Sequence, residues 1–572
     1  MHNVKVNTFP SVVATGGIRE DKRASWRCYC LYTGAALIVV LGLFLRTYTL
    51  DEQSVWNDEY VSVAYLSAPS WSVFQAGYKQ HDQYMPPVYY ALLYGWARFA
   101  GDSAWTLRLL SVIMASVSLC LVYILGRQLL GVKGALSAMI LFAFSPQQIY
   151  HAQEIRCYPL VVLLGLLSAW TFLHMMRGGG PAWWVVNTAF TVLLVWTHLG
   201  GVLLACAWGT GALLWLRRHK ARIAVWLAAQ GLLMLPLWGI GALTMGHQTA
   251  MGAEKTAVLN PFMLLVALIA PFFKDSSYVM DALPNDYVVN AGLSAPWLVW
   301  GRGIVIGISL LLALLFAVSF LHLCVVLLKR LAAHFGMSRS GVFKEELEQT
   351  QGSFVPTGSL HTTGFLLLWF CVPAALLVIP VFMVNCSAIV PRYTIFSSPA
   401  LHYLVILGAQ RLHTQWPRRL LLSGMTICMM VLGVFSVFLP MRGNYLALGR
   451  LLAADQNNSP VILMGDSALL VSQVAYNGGP NEATMKQVYS IEEVQSRLEA
   501  AILATGRAWI VLEETHAFEN ADMPAAVERL LVDLGLCHTR TLISGPQVLV
   551  AYEVFSREGE RDSAEGFSQN PK

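Results

Sequence analysis

A succession of long apolar runs limits this chain more than any other feature. They fall at about 31–46, 106–126, 134–150, 158–176, 182–198, 199–216, 223–243, 301–328, 363–384, 395–410 and 419–439. Stretches of about 18 or more apolar residues can cross a bilayer core of roughly 30 Å. Composition agrees, with 56% hydrophobic and only 12% charged residues, where soluble domains carry about 25% charged. The chain therefore reads as a polytopic α-helical membrane protein. Its net charge of +5 is small for the length and gives no case for nucleic-acid binding. Cys120, Cys206, Cys324, Cys371 and Cys428 lie inside the apolar runs, where cysteine behaves as a small hydrophobe.

Basic residues set the expected orientation. Lys22, Arg23 and Arg27 precede the first run, Arg127 and Lys133 follow the second, and Arg177 follows the fourth. "RRHKAR" occupies 217–222, Lys329 and Arg330 follow the eighth run, and Arg411, Arg418 and Arg419 precede the last. All fall on one side if about 11 helices cross the membrane and the N-terminus is cytoplasmic. The count requires that "PPVYYALLYGWARFAG" (86–101) lie in the interface rather than span. That stretch is short and rich in Tyr and Trp, as interfacial helices are.

This topology divides the chain into a cytoplasmic segment 1–30, a membrane domain 31–440, a C-terminal domain 441–555 and a polar tail 556–572. Outer loops are expected at 47–105, 244–300 and 385–394. Past residue 440, strand-like runs ("PVILMG", "AWIVLEE", "QVLVAYEVF") alternate with helical ones ("IEEVQSRLEAAIL", "PAAVERLLVDLG"). That alternation predicts a small α/β domain, placed on the outer face by the span count. The expected location is the inner or plasma membrane.

Ionisable groups beside a membrane are costly, and they are the first functional candidates. Asp58 and Glu59, in "SVWNDEYVSVAYL", follow the first run by about ten residues. Adjacent carboxylates point in different directions on a helix. One could accept a proton while the other binds substrate, a metal or a helix end; equally, Asp58 could simply cap a short helix. Glu154 and Arg156, in "SPQQIYHAQEIRCYPL", form a second site, with an interfacial ion pair as the plain alternative. Arg392, in "VPRYTIFSSPAL", is a lone arginine at an outer mouth. It suits a lipid-linked phosphate, or it snorkels to the headgroups. His198 ends the fifth run, and Lys274 lies in the second outer loop. The first is more often a structural interface residue; the second is a solvated charge or a donor contact.

Taken together in order, "WNDE", "PPVYY", "TLRLLSVIMASVSLCLVYILGRQLLG", "SPQQIYHAQEIRCYPL" and "PRYTIFSSPAL" resemble the bacterial membrane glycosyltransferases related to protein O-mannosyltransferases and to the lipid A aminoarabinose transferase. The resemblance covers roughly 31–440 and implies a GT-C fold. It implies Asp58 as catalytic acid/base with Glu59 beside it, Glu154 as a second carboxylate, and Arg392 and Tyr393 near the donor phosphate. It further implies a polyprenyl-phosphate-sugar donor, inversion at the anomeric carbon, and a glycan, lipid or protein acceptor. Where the aminoarabinose branch has a lysine before the paired prolines, this chain has Met85, with Lys79 and His81 as nearby replacements. A divalent ion held by Asp58 and Glu154 is left open by the resemblance.

The alternative from another class is a polytopic transporter or lipid flippase. Transport sites gather near the midplane, commonly on broken helices in inverted repeats, whereas the acidic residues here gather in loops and no internal repeat is visible. A non-enzymatic scaffold is a third reading, opposed by the presence of Asp58, Glu154 and Arg392 together.

Overall fold

The computed structural model describes residues 17–81, 85–237, 296–334, 360–384, 395–438, 445–455, 457–464, 470–488, 490–514, 523–543 and 548–556. The apolar runs fall mainly on helix where they are described, the third being broken at 144–145. Helix α1 (Gly17–Thr47) is followed by three shorter helices, α2 (Asn57–Val63), α3 (Trp71–His81) and α4 (Val88–Ala100). Next come α5 (Ala104–Ala143), α6 (Pro146–Ala152), α7 (Tyr158–Met176), α8 (Pro181–Thr197), α9 (Gly201–Trp215) and α10 (Lys220–Met234). Then follow α11 (Pro296–His334), α12 (Leu360–Val384), α13 (Ser398–Gln410) and α14 (Gln415–Phe438).

Five described stretches are long and apolar enough to cross a membrane: Ala104–Ala143, Tyr158–Met176, Arg217–Leu237, Gly303–Lys329 and Gln415–Phe438. Shorter apolar helices cover the remaining runs. Their outward faces carry large exposed apolar side chains, among them Leu37, Val40 and Phe44 on α1 and Leu310, Leu314 and Leu321 on α11. Water would not tolerate that much contiguous apolar surface; lipid does. This is a mostly helical, multi-pass membrane protein.

The second and third apolar runs form one bent rod. Helix α5 changes direction at Gly131, whose φ of 73° lies in the left-handed region that glycine adopts without steric cost. Its far end stops at Ala143. Ser145 then caps α6, accepting a hydrogen bond from the Gln148 N–H at 3.3 Å with Pro146 in the first turn. The third run thus ends a few residues before the sequence reading placed it, because a new cap intervenes. Arg46, fully buried, fastens this corner to α1: its guanidinium donates to the carbonyls of Ala143 (2.9 Å), Phe142 (3.2 Å) and Gly42 (2.9 Å). The first two are carbonyls that a helix leaves unpaired at its C-terminus.

The stretch 86–101 forms the 13-residue helix α4 and is not among the apolar helices long enough to cross. Tyr89, Tyr90, Leu93 and Ala97 bury one face of it, while Phe99 on the other is 85% exposed.

Small residues let the helices approach. A side chain at Gly408 of α13 would collide with the Ser319 carbonyl of α11, and the Ser319 hydroxyl donates to the Val405 carbonyl. Close backbone approach of this kind carries helix association where lipid removes the hydrophobic drive. Gly408→Val should therefore cost about 1–3 kcal/mol by overpacking. It should lower the Tm of the detergent-solubilised protein, whereas Gly307→Val, with nothing within 4 Å, should leave it unchanged. Equal Tm for the two variants would contradict this packing.

Beyond α15 (Tyr445–Ala453) the chain builds a five-stranded sheet. Its elements are β1 (Val461–Met464), α16 (Leu470–Tyr476), β2 (Met485–Val488), α17 (Ile491–Thr505), β3 (Arg507–Glu514), α18 (Met523–Asp533), β4 (Cys537–Ile543) and β5 (Val548–Phe555). The order is β2-β1-β3-β5-β4. Strands β2, β1 and β3 run parallel (Val461 opposite Met485 and Trp509), and β5 pairs antiparallel with β3 and β4 (Phe555 opposite Arg507 and Cys537). The period-2 alternation of strands divides the core between two faces. Ile462 and Met464 pack with Val494, Leu498 and Leu531 on one face, and Val461 and Leu463 with Leu448, Leu452 and Val474 on the other.

Candidate active site

The site is assembled on one face of α5. Arg108 and Ser111, three residues apart, point the same way. Arg108 reaches the first loop, and the Ser111 hydroxyl donates to the Glu154 carbonyl at 2.7 Å. Both acidic segments identified in the sequence are thereby fastened to a single helix.

Asp58 and Glu59 occupy the first turn of α2, whose N-cap is Trp56. Asp58 is thus inside the helix and does not cap it. The two carboxylates have separate surroundings. Glu59 is fully buried and grips Arg108 with both oxygens, Nη2 to Oε2 at 2.8 Å and Nε to Oε1 at 3.0 Å. It also accepts from the Ile155 N–H at 2.8 Å and from the Trp56 N–H at 3.4 Å. Arg108 spends its remaining donors on the carbonyls of Leu50 (2.8 Å), Gln53 (2.8 Å) and Ser54 (3.0 Å). A buried ion pair survives desolvation only when its other lone pairs and protons are also satisfied, as they are here. Asp58, by contrast, is half-buried, the one candidate carboxylate among Asp58, Glu59 and Glu154 with a solvent-exposed portion.

Arg156 lies against Asp58. Its Nη1 donates to the Asp58 carbonyl at 3.0 Å and to the Ser62 hydroxyl at 3.2 Å. Burial disfavours its charge, yet the acidic groups of Tyr90, Tyr158 and Asp58 around it hold its pKa well above the ordinary arginine value. Among the described residues, Arg156 Nε has no hydrogen-bond partner.

Glu154 is fully buried: its Oε2 meets His151 Nδ1 at 2.8 Å, while Oε1 has no partner among the described residues. Beyond His151 the rings continue, with Tyr158 at 4.4 Å between centroids and then His198 at 6.1 Å from Tyr158. His198 Nδ1 accepts the Gly200 N–H at 3.1 Å, which leaves Nε2 as the protonated nitrogen of the neutral ring.

Tyr89 of α4 completes the cluster. Its hydroxyl is buried without a partner among the described residues, and burial, with the nearby Cys157, Glu154 and Glu59, pushes the phenol pKa well above its usual value. It stays a neutral donor. Buried polar atoms without partners are uncommon in folded proteins. Here Tyr89 Oη, Glu154 Oε1 and Arg156 Nε supply a donor, an acceptor and a charged donor within one cluster, the mixture that a polyhydroxylated ligand or ordered water would satisfy.

Asp58, Glu59, Glu154, Arg156 and His198 are therefore neighbours. His81 ends α3, where its backbone is described but its side chain is not. Lys274, Arg392 and Tyr393 lie outside the described residues. Lys79 is exposed and borders a cavity of about 340 Å³ lined by Trp71, Phe74, Tyr78, Pro87 and Tyr90. Arg108 and Tyr89 escaped the sequence reading. The signal for Arg108 was present, a charge inside an apolar helix; for Tyr89 none was, since its neighbour Tyr90 looks the same.

A hard divalent ion takes about six oxygen ligands. Among the described residues no group of three or more His, Cys, Asp or Glu side chains is placed to hold a metal. The cation beside Asp58 is Arg156 and the one beside Glu59 is Arg108, so the described donors do not fit such an ion and no step below passes through one.

Residues 84–240 match the family model described as dolichyl-phosphate-mannose-protein mannosyltransferase. Over that stretch the chain resembles the protein mannosyltransferases. The matched stretch carries Tyr89, Arg108, His151, Glu154, Arg156 and His198, and begins after Asp58. The resemblance read from the motifs is borne out over these residues. No curated protein sequence matches the chain. Among solved structures it is similar to ArnT from Cupriavidus metallidurans bound to undecaprenyl phosphate, at 12% identity and TM-score 0.43 over 96% of this chain and 100% of that one. It is also similar to the oligosaccharyltransferase AglB from Archaeoglobus fulgidus in complex with an inhibitory peptide and a dolichol-phosphate, at 11% identity and TM-score 0.44 over 85% of this chain and 70% of that one. At these values the likeness is loose, and no residue role is carried over from it.

Proposed function

We propose that the chain is a GT-C-like membrane glycosyltransferase that moves a sugar from a polyprenyl-phosphate donor to an acceptor hydroxyl. The observation that carries this reading is Asp58, half-buried and beside the Arg156 charge, on a turn locked by the buried Glu59–Arg108 pair. The family matched by 84–240 takes its sugar from a dolichyl phosphate, which supports a lipid-phosphate donor.

In the proposed step the acceptor oxygen attacks the anomeric carbon from the face opposite the phosphate, with inversion. Its proton passes to Asp58, the oriented base. The bond from the anomeric carbon to the phosphate oxygen breaks, and the polyprenyl phosphate leaves with the electron pair. Arg392 is assigned to the negative charge developing on that phosphate, with Tyr393 beside it. Arg156 lies against Asp58, and Glu154 with Tyr89 and His151 orients sugar or acceptor hydroxyls. His198, His81 and Lys274 are assigned to the periphery of the donor site. If the basic clusters lie in the cytoplasm, as the positive-inside rule favours, the N-terminus is cytoplasmic in a cell membrane, and by the same count the site and the α/β domain 441–555 face outward. There the donor can keep its tail in the bilayer while its head reaches Asp58.

Mass spectrometry of membranes from cells with and without the gene tests the reading. Loss of one glycoconjugate with accumulation of a polyprenyl-phosphate sugar is expected. Unchanged pools, with the protein verified as expressed in the control cells, would reject it.

A further inference from the structure

The α/β unit is bound to the loop that carries Asp58 by an unusual contact. Asn477 is 422 positions from Val55, yet its Oδ1 accepts the Val55 N–H at 2.9 Å and its Nδ2 donates to the Val55 carbonyl at 3.0 Å. One side-chain amide thus satisfies both backbone groups of a buried residue, as a neighbouring strand would. Val55 lies just before α2, three residues from Asp58.

Asn477 is itself rigidly held. It follows α16 in a turn where Gly478 adopts φ +90° and the Gly479 N–H closes on the Val474 carbonyl at 2.9 Å, a left-handed helix ending that glycine favours. Helix α15 presses on this turn through Gly449, where a Cβ would lie 2.5 Å from the Asn477 carbonyl. The same helix offers the Leu446 N–H to the Ser54 hydroxyl at 2.8 Å, while the Ser54 carbonyl takes a bond from Arg108. Tyr476 meets Tyr60 edge-on, 6.1 Å between centroids. The segment Ser54–Val55 is thus gripped by the membrane helices on one side and by the α/β unit on the other.

We infer that Asn477 is a positioning residue for transfer: through Val55 it sets the start of α2 and hence the placement of Asp58, making the α/β unit a working part of the active site. The inference rests on the functional reading above, since it gives Asp58 its task. Displacing a reacting group by about 1 Å can cost roughly 100-fold in rate, so a clamp this close to Asp58 matters through geometry more than stability.

The full-length protein in detergent or nanodiscs is the material for the test, with Asn477→Ala and Asn477→Asp, the latter keeping an acceptor for the Val55 N–H. Hydrogen exchange over 50–63 should quicken about fivefold in Asn477→Ala, as loss of one net hydrogen bond would give. Peptides from β1 and β3 should exchange as in the wild type. With a polyprenyl-phosphate sugar as probe, kcat should fall about 10- to 100-fold, KM for the donor should hold, and Asn477→Asp should fall between Ala and wild type. Unchanged exchange over 50–63, or equal loosening of β1 and β3, overturns the clamp. Loosened exchange with unaltered kcat overturns positioning. A wild type that transfers no sugar rejects the functional reading and with it the assignment to transfer, while the exchange result alone decides whether Asn477 holds the loop.

Discussion

Asp58→Asn is expected to reduce sugar transfer by about 10²- to 10⁴-fold, the usual contribution of a positioned general base, while the protein inserts and folds as before. Asparagine matches aspartate in shape but cannot take the acceptor proton. Because Asp58 is half-buried and its backbone carbonyl accepts the bond from Arg156 Nη1, the substitution leaves that backbone contact in place. Purified Asp58→Asn should retain the wild-type Tm and donor binding. Its kcat should collapse with KM little changed, the pattern of an interaction realised only in the transition state. Normal turnover by a well-folded Asp58→Asn would remove Asp58 from the role of base.

The second large effect concerns stability. Arg108→Leu would leave the Glu59 carboxylate buried and strip a donor from the carbonyls of Leu50, Gln53 and Ser54. Breaking a buried pair on one side costs about 3–5 kcal/mol, enough to consume much of the stability of an ordinary domain. Poor accumulation and a sharply lower Tm are expected. Glu59→Gln should cost less, since the arginine keeps its three carbonyl partners, and its folded fraction should still transfer sugar. The two changes combined should cost less than their sum, because each single change strands the other's charge. If Glu59→Gln keeps its Tm but is as inactive as Asp58→Asn, Glu59 belongs to the chemistry and not to the frame.

That contrast marks the limit of what neighbouring letters reveal. Asp58 and Glu59 are adjacent carboxylates in the same short helix, and the local sequence treats them alike. What separates them is Arg108, about 50 residues away in the chain. Similarly, Glu154 and Arg156 read locally as an ion pair, yet Glu154 turns to His151 and Arg156 to the Asp58 turn. Arg392 and Tyr393 remain proposals carried by the motifs, and Lys274 one carried by its place in the second outer loop, since all three lie outside the described residues.

The sequence by itself determined the helical, multi-pass character, since an apolar run long enough to cross a bilayer must satisfy its own backbone hydrogen bonds and does so as helix. It also determined the alternation of strand and helix after residue 440, because the two periodicities, 2 and 3.6, are local properties. Only the tertiary structure decided which carboxylate is frame and which is half-exposed, where α5 bends and α6 is capped, and that Asn477 closes on Val55. The frame and the clamp depend on desolvation and on partners 49 and 422 residues away, and no local pattern encodes which buried charge will find its counter-charge.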